Sequence, residues 1–416
     1  MTRDVRLPSD HRLHAVDFTS LRGVVPLVCQ AVAEVLAGRA AERSVDGLLR
    51  RNKHWTPEQR KGAVEAVYAV AVWRRRLLHH AERAEPAWLL FVLLRDLLGW
   101  PASNAAELLG LDAQQAPRER PAPESPAVYH SFPDELMALF QRELGAEAEQ
   151  LASALNLPGP ITFRANRLKI NPDALATLLR EAGVQTRPCL HAKDGLLVVG
   201  ERPNVLGLAE HQQGLFEVQD EGSQLLGALV EARPGETVVD YCAGAGGKTL
   251  QLAADMEGRG HLLVHDVDEE KLQRLGHRAR RAGVTCVERL KGTVAADRVF
   301  VDAPCSEIGA LRRGPDLRFR LTATELDRFP PLQRCILDEA SALVRPGGRL
   351  VYATCTLRRE ENQDVVSAFL AQHPEFRMIP PGQGWLDSSF IRDGAFLSLP
   401  HIHGTDGFFA VVMQCT

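Results

Sequence analysis

From Gly235 onward, short valine-rich apolar runs alternate with amphipathic helical patterns, and this alternation constrains the fold more than any other feature. Four of the runs are TVVDYC, HLLVHD, RVFVDAP and RLVYATC, and helical patterns such as DEEKLQRLGHRARRAG lie between them. Strand, crossover helix and strand repeated in this way predict an α/β domain built on a doubly wound, mostly parallel sheet. The closing DGFFAVVMQ predicts a late strand that can run antiparallel.

The residues before this sheet are expected to form two further regions and a linker. Apolar residues recur at three and four spacing up to about Leu109, which predicts an all-α N-terminal domain over residues 1–115. A proline-rich stretch over residues 116–127 reads as the linker. Mixed helix and strand patterns predict a small α+β module over residues 128–230, and the α/β domain takes residues 231–416.

Composition and charge exclude several classes of protein. The apolar fraction of 45%, the charged fraction of 25% and the net charge of -4 are those of an ordinary globular protein and not of a polycation. Residues 51–76 nevertheless carry seven basic side chains against two acidic ones. That stretch is either a solvated helix face or a patch that faces phosphates.

The cysteine pattern and the apolar runs indicate a cytoplasmic protein. The eight cysteines form no C-x-x-C and no paired Cys/His spacing, which argues against a zinc site and a disulfide framework. We therefore expect no metal. The N-terminal MTRDVRLPSDHRLHAVDF lacks the apolar core of a signal peptide, and the longest apolar run, residues 87–94, is too short to span a bilayer. Nothing in the sequence demands more than a monomer.

A glycine-rich segment, DYCAGAGGKT over residues 240–249, follows the first strand of the α/β domain. A P-loop needs glycine where this chain has Cys242, and a dinucleotide fingerprint starting at Gly244 needs glycine where it has Thr249. What remains is a small-residue turn whose backbone N–H groups can bind a carboxylate. This turn fits the amino-acid end of S-adenosylmethionine. The alternative is that it is an ordinary loop that binds no ligand.

An acidic residue ends the second strand, about 20 residues after the glycine turn. Asp266 in HLLVHDVDEEKL is placed to accept hydrogen bonds from ribose hydroxyls. The alternative interpretation is that Asp266 caps the helix that begins in DEEKL.

Two cysteines end the third and fourth of the valine-rich runs. Cys305 follows Asp302-Ala303-Pro304, and Cys355 follows Ala353-Thr354. Ligands of open α/β sheets bind at the carboxyl ends of the strands, where both cysteines fall. A thiolate there can attack an electron-poor ring carbon such as C6 of a pyrimidine. A single strand-end cysteine is usually a small buried hydrophobe, but two at equivalent ends are less easily explained in that way.

At these residues the chain resembles the Sun-type RNA (cytosine-5) methyltransferase family. The resemblance runs through YCAGAGGKT, HDVDEEKL, FVDAPCSEIGALRRGPD, LVYATCTLRREEN and DGFFA, covering residues 217–413. FEVQDEGSQL and RANRLK resemble the segment before the family's catalytic domain. The helical N-terminal region is similar to the antitermination-factor-like RNA-binding domain of the bacterial small-subunit ribosomal RNA methyltransferase B branch.

The resemblance implies a Rossmann-like class I methyltransferase domain, S-adenosylmethionine as cofactor and RNA, most plausibly small-subunit ribosomal RNA, as partner. It implies that Cys355 is the nucleophile, with its pKa lowered by nearby cations, and that Cys305 assists release of the product. The target base must be unpaired or flipped out of its helix. The expected cofactor-binding residues are Cys242, Ala243, Gly244, Ala245, Gly246, Gly247, Lys248, Asp266 and Asp302. Arg312, Arg313 and Arg318 are either contacts to the RNA backbone or ordinary surface arginines.

This chain departs from the family pattern in two places. Ala245 stands where the family usually has proline, and ERLKGTVAADRVF runs from the third strand into the next without the acid that the family places near adenine. The second departure favours an alternative hypothesis, a non-catalytic RNA-binding or ribosome assembly factor. A DNA methyltransferase is a third hypothesis, but it would use Cys305 and leave Cys355 without a role.

Overall fold

The computed structural model describes residues 3–9 and 11–416, which divide into two compact units. The first unit comprises the chain up to Pro158 together with Leu311–Leu321. The second unit comprises Gly159–Ala310 and Thr322–Thr416. The predicted catalytic and cofactor-binding residues all belong to the second unit, whereas the candidate RNA contacts Arg312, Arg313 and Arg318 belong to the first.

The first unit is helical. Its longest helix begins with Thr56 as N-cap, in a capping box with Gln59, and with Pro57 at the first helical position. A π-helical turn over Leu93–Leu97 continues the fourth helix. The helices are α1 Val25–Leu36, α2 Ala41–Arg51, α3 Pro57–Ala81, α4 Pro86–Val92, α5 Ala102–Leu109, α6 Pro126–Tyr129, α7 Asp134–Leu144 and α8 Ala148–Leu155.

The proline-rich stretch is bound to the helices of the first unit. Arg95 donates to the carbonyl of Pro117 at 2.6 Å, and Arg120 donates to the carbonyl of His79 at 3.0 Å and to the Glu82 carboxylate at 2.8 Å. The stretch therefore lies against α3 and the π-helical turn, instead of acting as a free spacer. The helices α6 to α8 that follow it also belong to the first unit.

Two arginines of the basic stretch over residues 51–76, Arg75 and Arg76, link segments of the first unit. Arg75 donates to the Phe132 carbonyl at 2.5 Å, and Arg76, 2% exposed, donates to the carbonyls of Asp4 and Val5 at 2.8 Å. For Arg76, which is buried, neither a solvated face nor a phosphate-facing patch is correct, whereas Arg75 remains partly exposed and also pairs with Asp134.

Arg318 has the same internal role. Its side chain is fully buried, donates to Asn156 Oδ1 at 2.6 Å and lies over the Phe132 ring, 3.8 Å from its centroid. The two interpretations of Arg318, RNA contact and surface arginine, are both wrong in this structure, because a buried guanidinium satisfied by protein acceptors is not available to a phosphate.

The second unit begins with a four-stranded antiparallel sheet in the order β2-β3-β1-β4. Its core contains Phe163, Leu175, Leu179, Leu196 and Phe216, all buried. The elements are β1 Thr162–Ala165, α9 Pro172–Glu181, β2 Thr186–Pro188, β3 Gly195–Val198, α10 Ala209–Gln212 and β4 Phe216–Val218.

A nine-stranded sheet forms the rest of the second unit and confirms the predicted α/β architecture. The strand order is β11-β12-β13-β9-β8-β5-β6-β7, with β10 also paired to β13. The segment from β7 to β9 is parallel, and β13 runs antiparallel to β9, as DGFFAVVMQ allowed. The elements are α11 Glu221–Leu229, β5 Thr237–Asp240, α12 Gly247–Asp255, β6 His261–Val264, α13 Glu269–Ala282, β7 Val287–Arg289, β8 Ala296–Asp302, α14 Ala323–Asp327, α15 Phe329–Ser341, β9 Val344–Thr354, α16 Gln363–Gln372, β10 Phe376–Ile379, β11 Ile391–Arg392, β12 Ala395–Ser398, α17 Pro400–His403 and β13 Phe408–Cys415.

The register of β8 and β9 decides where the two cysteines lie. Asp302 at the end of β8 pairs with Ala353 near the end of β9, so the chain segments that follow both strands leave the same edge of the sheet. β5 lies on the other side of β8, and its carboxyl end leads into the glycine turn. Adjacent parallel strands thus bring together the three predicted parts of the site.

Two further findings concern the described residues as a whole. No helix among them combines the length and apolarity that crossing a membrane requires. Within residues 3–9 and 11–416, no three His, Cys, Asp or Glu side chains are grouped so that they could hold a metal ion.

Candidate active site

The glycine turn connects β5 to α12 and depends on two glycines with positive φ. Gly244 has φ +54° and Gly246, the N-cap of α12, has φ +87°. A Cβ on Gly246 would lie 2.6 Å from Leu275 Cγ, so no larger residue fits there without displacing that side chain. Arg278 supports the turn by donating to the Ala245 carbonyl at 2.8 Å.

Asp266 lies after β6 and contacts the glycine turn directly. One carboxylate oxygen accepts the Gly244 N–H at 2.8 Å and the other accepts the Asp268 N–H at 2.8 Å. The N-cap of α13 is Asp268, which accepts from the N–H groups of Glu270 and Lys271, so the interpretation of Asp266 as the helix cap is wrong. Each Asp266 oxygen keeps a second lone pair, which a ribose hydroxyl could use.

Cys305 and Cys355 lie side by side. Their Sγ atoms are 3.3 Å apart, and the backbone N–H of Cys355 donates to Cys305 Sγ at 3.3 Å. The Gly309 N–H donates to the Cys355 carbonyl at 2.9 Å and closes the loop after Cys305 onto the second cysteine. The two thiols can therefore act on one bound group in a single site.

The electrostatics at Cys355 correct one expectation from the sequence. The hydrogen bond with Cys305, burial and the nearby carboxylates of Glu307 and Asp302 raise the pKa of the Cys355 thiol well above its ordinary value. A lowered pKa was expected because a cation beside the sulfur favours the thiolate. Here the neighbouring thiol and acids outweigh that cation.

The cation is Lys248, in the first turn of α12. Its Nζ lies 2.7 Å from Asp302 Oδ2, and it also interacts electrostatically with Cys355. Burial would lower the pKa of Lys248, but the attraction and hydrogen bond of Asp302 raise it, so the ammonium stays charged. The ion pair joins the glycine turn to the segment that carries Cys305.

Asp240, the last residue of β5, is an ionisable group that the sequence reasoning did not select. Its side chain is 1% exposed; one oxygen accepts the Thr249 hydroxyl at 2.6 Å and the other has no partner among the described residues. Burial raises the pKa of Asp240 to about 7, although the Thr249 hydrogen bond acts in the opposite direction. A strand-end acid followed by small residues was the only sequence signal that could have marked it.

The connection after β7 is as short as the sequence indicated. Six residues, 290–295, lead from Arg289 to Ala296, without a helix and without an acidic side chain. Lys291, Gly292 and Thr293 are exposed. The turn and Asp266 fit the amino-acid and ribose parts of S-adenosylmethionine, whereas this connection supplies no acid for an adenine.

Two family profiles match the chain. Residues 228–414 match the family described as 16S rRNA methyltransferase RsmB/F, and residues 132–204 match its ferredoxin-like domain. The first match covers every predicted site residue, and the second includes the first three strands of the small antiparallel sheet.

Two curated proteins with similar sequences carry the same name. The "Probable ribosomal RNA small subunit methyltransferase B" of Synechocystis sp. is 34% identical over 295 residues, which are 67% of this chain and 66% of that protein. The protein of the same name from Bacillus subtilis is 32% identical over 317 residues, or 73% of this chain and 69% of that protein. The matched stretch is thus just under two thirds of the first relative's length.

Solved structures share the fold. PH0851 superposes with a TM-score of 0.78 at 24% identity, covering 96% of this chain and 99% of that one. NSun6 from Pyrococcus horikoshii, determined with the S-adenosylmethionine analogue SFG, superposes with a TM-score of 0.61 at 20% identity, covering 69% of this chain and 99% of that one. At these identities the likeness extends to the fold alone.

Proposed function

The chain belongs to the 16S rRNA methyltransferase RsmB/F family, and from that membership we propose that it methylates C5 of a cytosine in small-subunit ribosomal RNA through a covalent Cys355–C6 intermediate. Its cofactor is S-adenosylmethionine, which when bound supplies a methyl group activated by a sulfonium. The observation that carries the proposal is the 3.3 Å separation of Cys305 and Cys355 at the ends of adjacent strands, beside Lys248.

The residues of this chain divide the binding of the cofactor between them. The backbone N–H groups of the turn from Ala243 to Gly247 would face its carboxylate, and Asp266 its ribose. Lys248 and Asp302 join the turn to the Cys305 segment through their ion pair, and these charged groups would face the polar edge of the cytosine.

Cys355 starts the reaction by adding to C6, because C5 of cytosine is a weak nucleophile until its ring loses aromaticity. The thiol must first lose its proton, and its raised pKa means that the reactive fraction grows as the pH rises. The Sγ–C6 bond then forms, and the electron pair of the C5–C6 double bond makes the new bond from C5 to the methyl group. The bond between the methyl group and the sulfonium sulfur would break at the same time, with its electron pair staying on that sulfur.

Release of the product requires loss of the C5 proton and cleavage of the Sγ–C6 bond. A base takes the C5 proton, the electron pair of the C5–H bond forms the C5–C6 double bond again, and the electron pair of the Sγ–C6 bond leaves with the Cys355 sulfur. Cys305 is the group best placed to assist, because its sulfur lies in contact with Cys355 and can reach the same face of the ring.

Methyl transfer to unmethylated small-subunit ribosomal RNA from radiolabelled S-adenosylmethionine tests the proposal. Cys355→Ala should transfer no methyl group, whereas Cys305→Ala should accumulate a covalent RNA adduct visible as a gel shift under denaturing conditions. Cys335→Ala, which removes an exposed thiol on α15, is the matched control and should keep full activity. Full activity in Cys355→Ala would refute the mechanism.

The short connection after β7 favours one alternative, a non-catalytic RNA-binding or assembly factor whose cofactor site has degenerated. Titration calorimetry with S-adenosylmethionine separates the two proposals. An enzyme must bind the cofactor at concentrations found in cells; a protein that binds RNA but not the cofactor would support the alternative.

A further inference from the structure

A carboxylate that the proposed reaction does not use lies behind the two cysteines. Glu361 belongs to the single 3-10 turn over Arg359–Glu361 after β9, and its side chain is fully buried. A buried carboxylate is costly unless donors surround it, so its partners show what it stabilises.

Four donors surround the Glu361 carboxylate. Oε2 accepts the backbone N–H of Ser306 at 2.9 Å and the amide of Gln333 at 3.1 Å. Oε1 accepts the hydroxyl of Ser306 at 2.6 Å and the guanidinium of Arg358 at 3.2 Å. Two of the four bonds come from the residue that directly follows Cys305.

The network continues to the residue that directly follows Cys355. The hydroxyl oxygen of Ser306 lies 2.8 Å from that of Thr356. Because the Ser306 proton is donated to Glu361, the Thr356 hydroxyl must donate to Ser306. One buried carboxylate is thereby linked to both cysteine segments through two short hydrogen bonds.

The turn that carries Glu361 is itself anchored on β9. The hydroxyl of Tyr352 donates to the Glu361 carbonyl at 2.7 Å. Asn362 accepts the hydroxyl of Thr354 at 2.6 Å and donates to the Thr356 carbonyl at 3.0 Å. The carboxylate therefore has a fixed position relative to the strand that ends at Cys355.

We propose that Glu361 is a positioning residue that sets the separation of the Cys305 and Cys355 sulfurs, and so couples addition to C6 with release of the product. This inference rests on the proposed function for its catalytic meaning, but not for the geometry. Glu361 touches no substrate; it acts through Ser306 and Thr356. Its requirement for four acceptor positions explains why a carboxylate is used: a glutamine would turn an NH₂ group toward two of the donors.

The first test measures geometry without any RNA. Diamide takes two electrons and two protons from a pair of neighbouring thiols and joins them as a disulfide. In the wild type, the Cys305–Cys355 crosslink should form readily and be found by mass spectrometry of the peptide pair. In Glu361→Gln we expect it to form about tenfold more slowly, because the loops no longer share one anchor.

The second test measures the reaction. Glu361→Gln should lower kcat for methyl transfer about a hundredfold, with the KM for RNA and the affinity for S-adenosylmethionine within twofold of wild type, since displacement of reacting groups by about 1 Å has an effect of this size. RNA that carries 5-fluorocytosine, from which the C5 substituent cannot leave, should trap the adduct more slowly in the variant. Glu375→Gln, an exposed glutamate of the same domain, is the control.

Ser306→Ala provides a milder variant in case Glu361→Gln does not fold. It removes the hydroxyl link to Thr356 and keeps the carboxylate, so crosslinking and kcat should fall together by a smaller factor. A variant that melts at a lower temperature but keeps the wild-type crosslinking rate and kcat would overturn the proposal. If the wild type shows no methyl transfer, the proposed function fails while the crosslinking result still decides the role of Glu361.

Discussion

The segments after β8 and β9 differ sharply from the connection after β7, although all three leave the same sheet. Behind the two cysteines, Glu361, Ser306 and Thr356 form a buried network in which the described donors have acceptors. The connection after β7 is six residues long, exposed around Gly292, and has no acid. The segments that carry the two cysteines are therefore fixed by buried hydrogen bonds, whereas the connection after β7 is not. Mutations in the two places should accordingly separate the rate of methyl transfer from the affinity for the cofactor.

The largest expected effect is on folding stability and concerns Asp240, the buried acid at the end of β5. Its pKa is raised by burial to about 7, against about 3.8 in the unfolded chain. Below about pH 3, both states are protonated and burial of the acid is not penalised. As the pH rises to 7 the unfolded state loses its proton first, so folding stability falls, by about 4 kcal/mol in total, and stays constant above pH 7.

Asp240→Asn should remove this loss, so that the variant gains stability over the wild type between pH 4 and pH 7. Melting temperatures measured across that range check the prediction. Asp297→Asn is the control. Burial alone would raise the pKa of Asp297, but the hydrogen bonds from the Thr237 N–H and Arg345 outweigh burial and lower it. Ionised Asp297 therefore stabilises the fold, and this contribution is lost as the pH falls. If the melting temperatures of the wild type and of Asp240→Asn change in parallel with pH, the pKa of Asp240 is not raised by burial.

The second largest effect is expected for Lys248→Met. The variant keeps an unbranched apolar stem but removes the ammonium, so it leaves Asp302 unpaired and takes away the cation next to Cys355. Methyl transfer should therefore fall about a hundredfold. Single-turnover rates with radiolabelled S-adenosylmethionine measure it. Lys271→Met, at a half-exposed lysine of α13, should keep the wild-type rate of methyl transfer. If Lys248→Met is as fast as Lys271→Met, Lys248 has no role in the reaction.

Asp266→Asn should act on cofactor binding and leave the chemical step nearly intact. An amide can accept one of the two backbone N–H bonds but turns its NH₂ group toward the other, so the turn at Gly244 loosens. We expect an increase of about tenfold in the Kd for S-adenosylmethionine, equivalent to about 1.4 kcal/mol. Calorimetry measures it, and an unchanged Kd would mean that Asp266 only shapes the loop.

The smallest effect is expected in the exposed connection after β7. Thr293→Asp supplies an acid to the connection after β7, where the chain lacks one. It should tighten S-adenosylmethionine binding about threefold, or about 0.7 kcal/mol, which is within the range of one ordinary hydrogen bond. Thr293→Asn is the neutral match. No gain from the acid would show that the adenine is bound without this connection.

Sequence patterns predicted most of the architecture because the period of apolar residues reports burial directly. The strands that carry the site lie where the valine-rich runs placed them. The helical pattern in ATELDRFPPLQRCILDEASALV forms two helices, α14 and α15, which are separated at Arg328, shortly before two prolines. The predicted limits of the domains stay predictions, although α6 to α8 belong with the helical unit.

Long-range pairing could not be read in the same way. Arg75, Arg76 and Arg318 look like surface cations in the sequence, but their partners lie up to 162 residues away and make them internal crosslinks. Glu361 likewise appears as one acid in a charged RREEN stretch, with no local signal that distinguishes it from Glu360.

The amino-acid sequence alone therefore determined the sheet, the glycine turn and the two strand-end cysteines, because each depends on residue types close together in the chain. Only the tertiary structure decided that the cysteine sulfurs are in contact, that the neighbouring thiol and acids raise the pKa of Cys355, and that a buried glutamate links both segments. Those properties depend on distances and burial, which arise when residues far apart in sequence pack together and lose their contact with water.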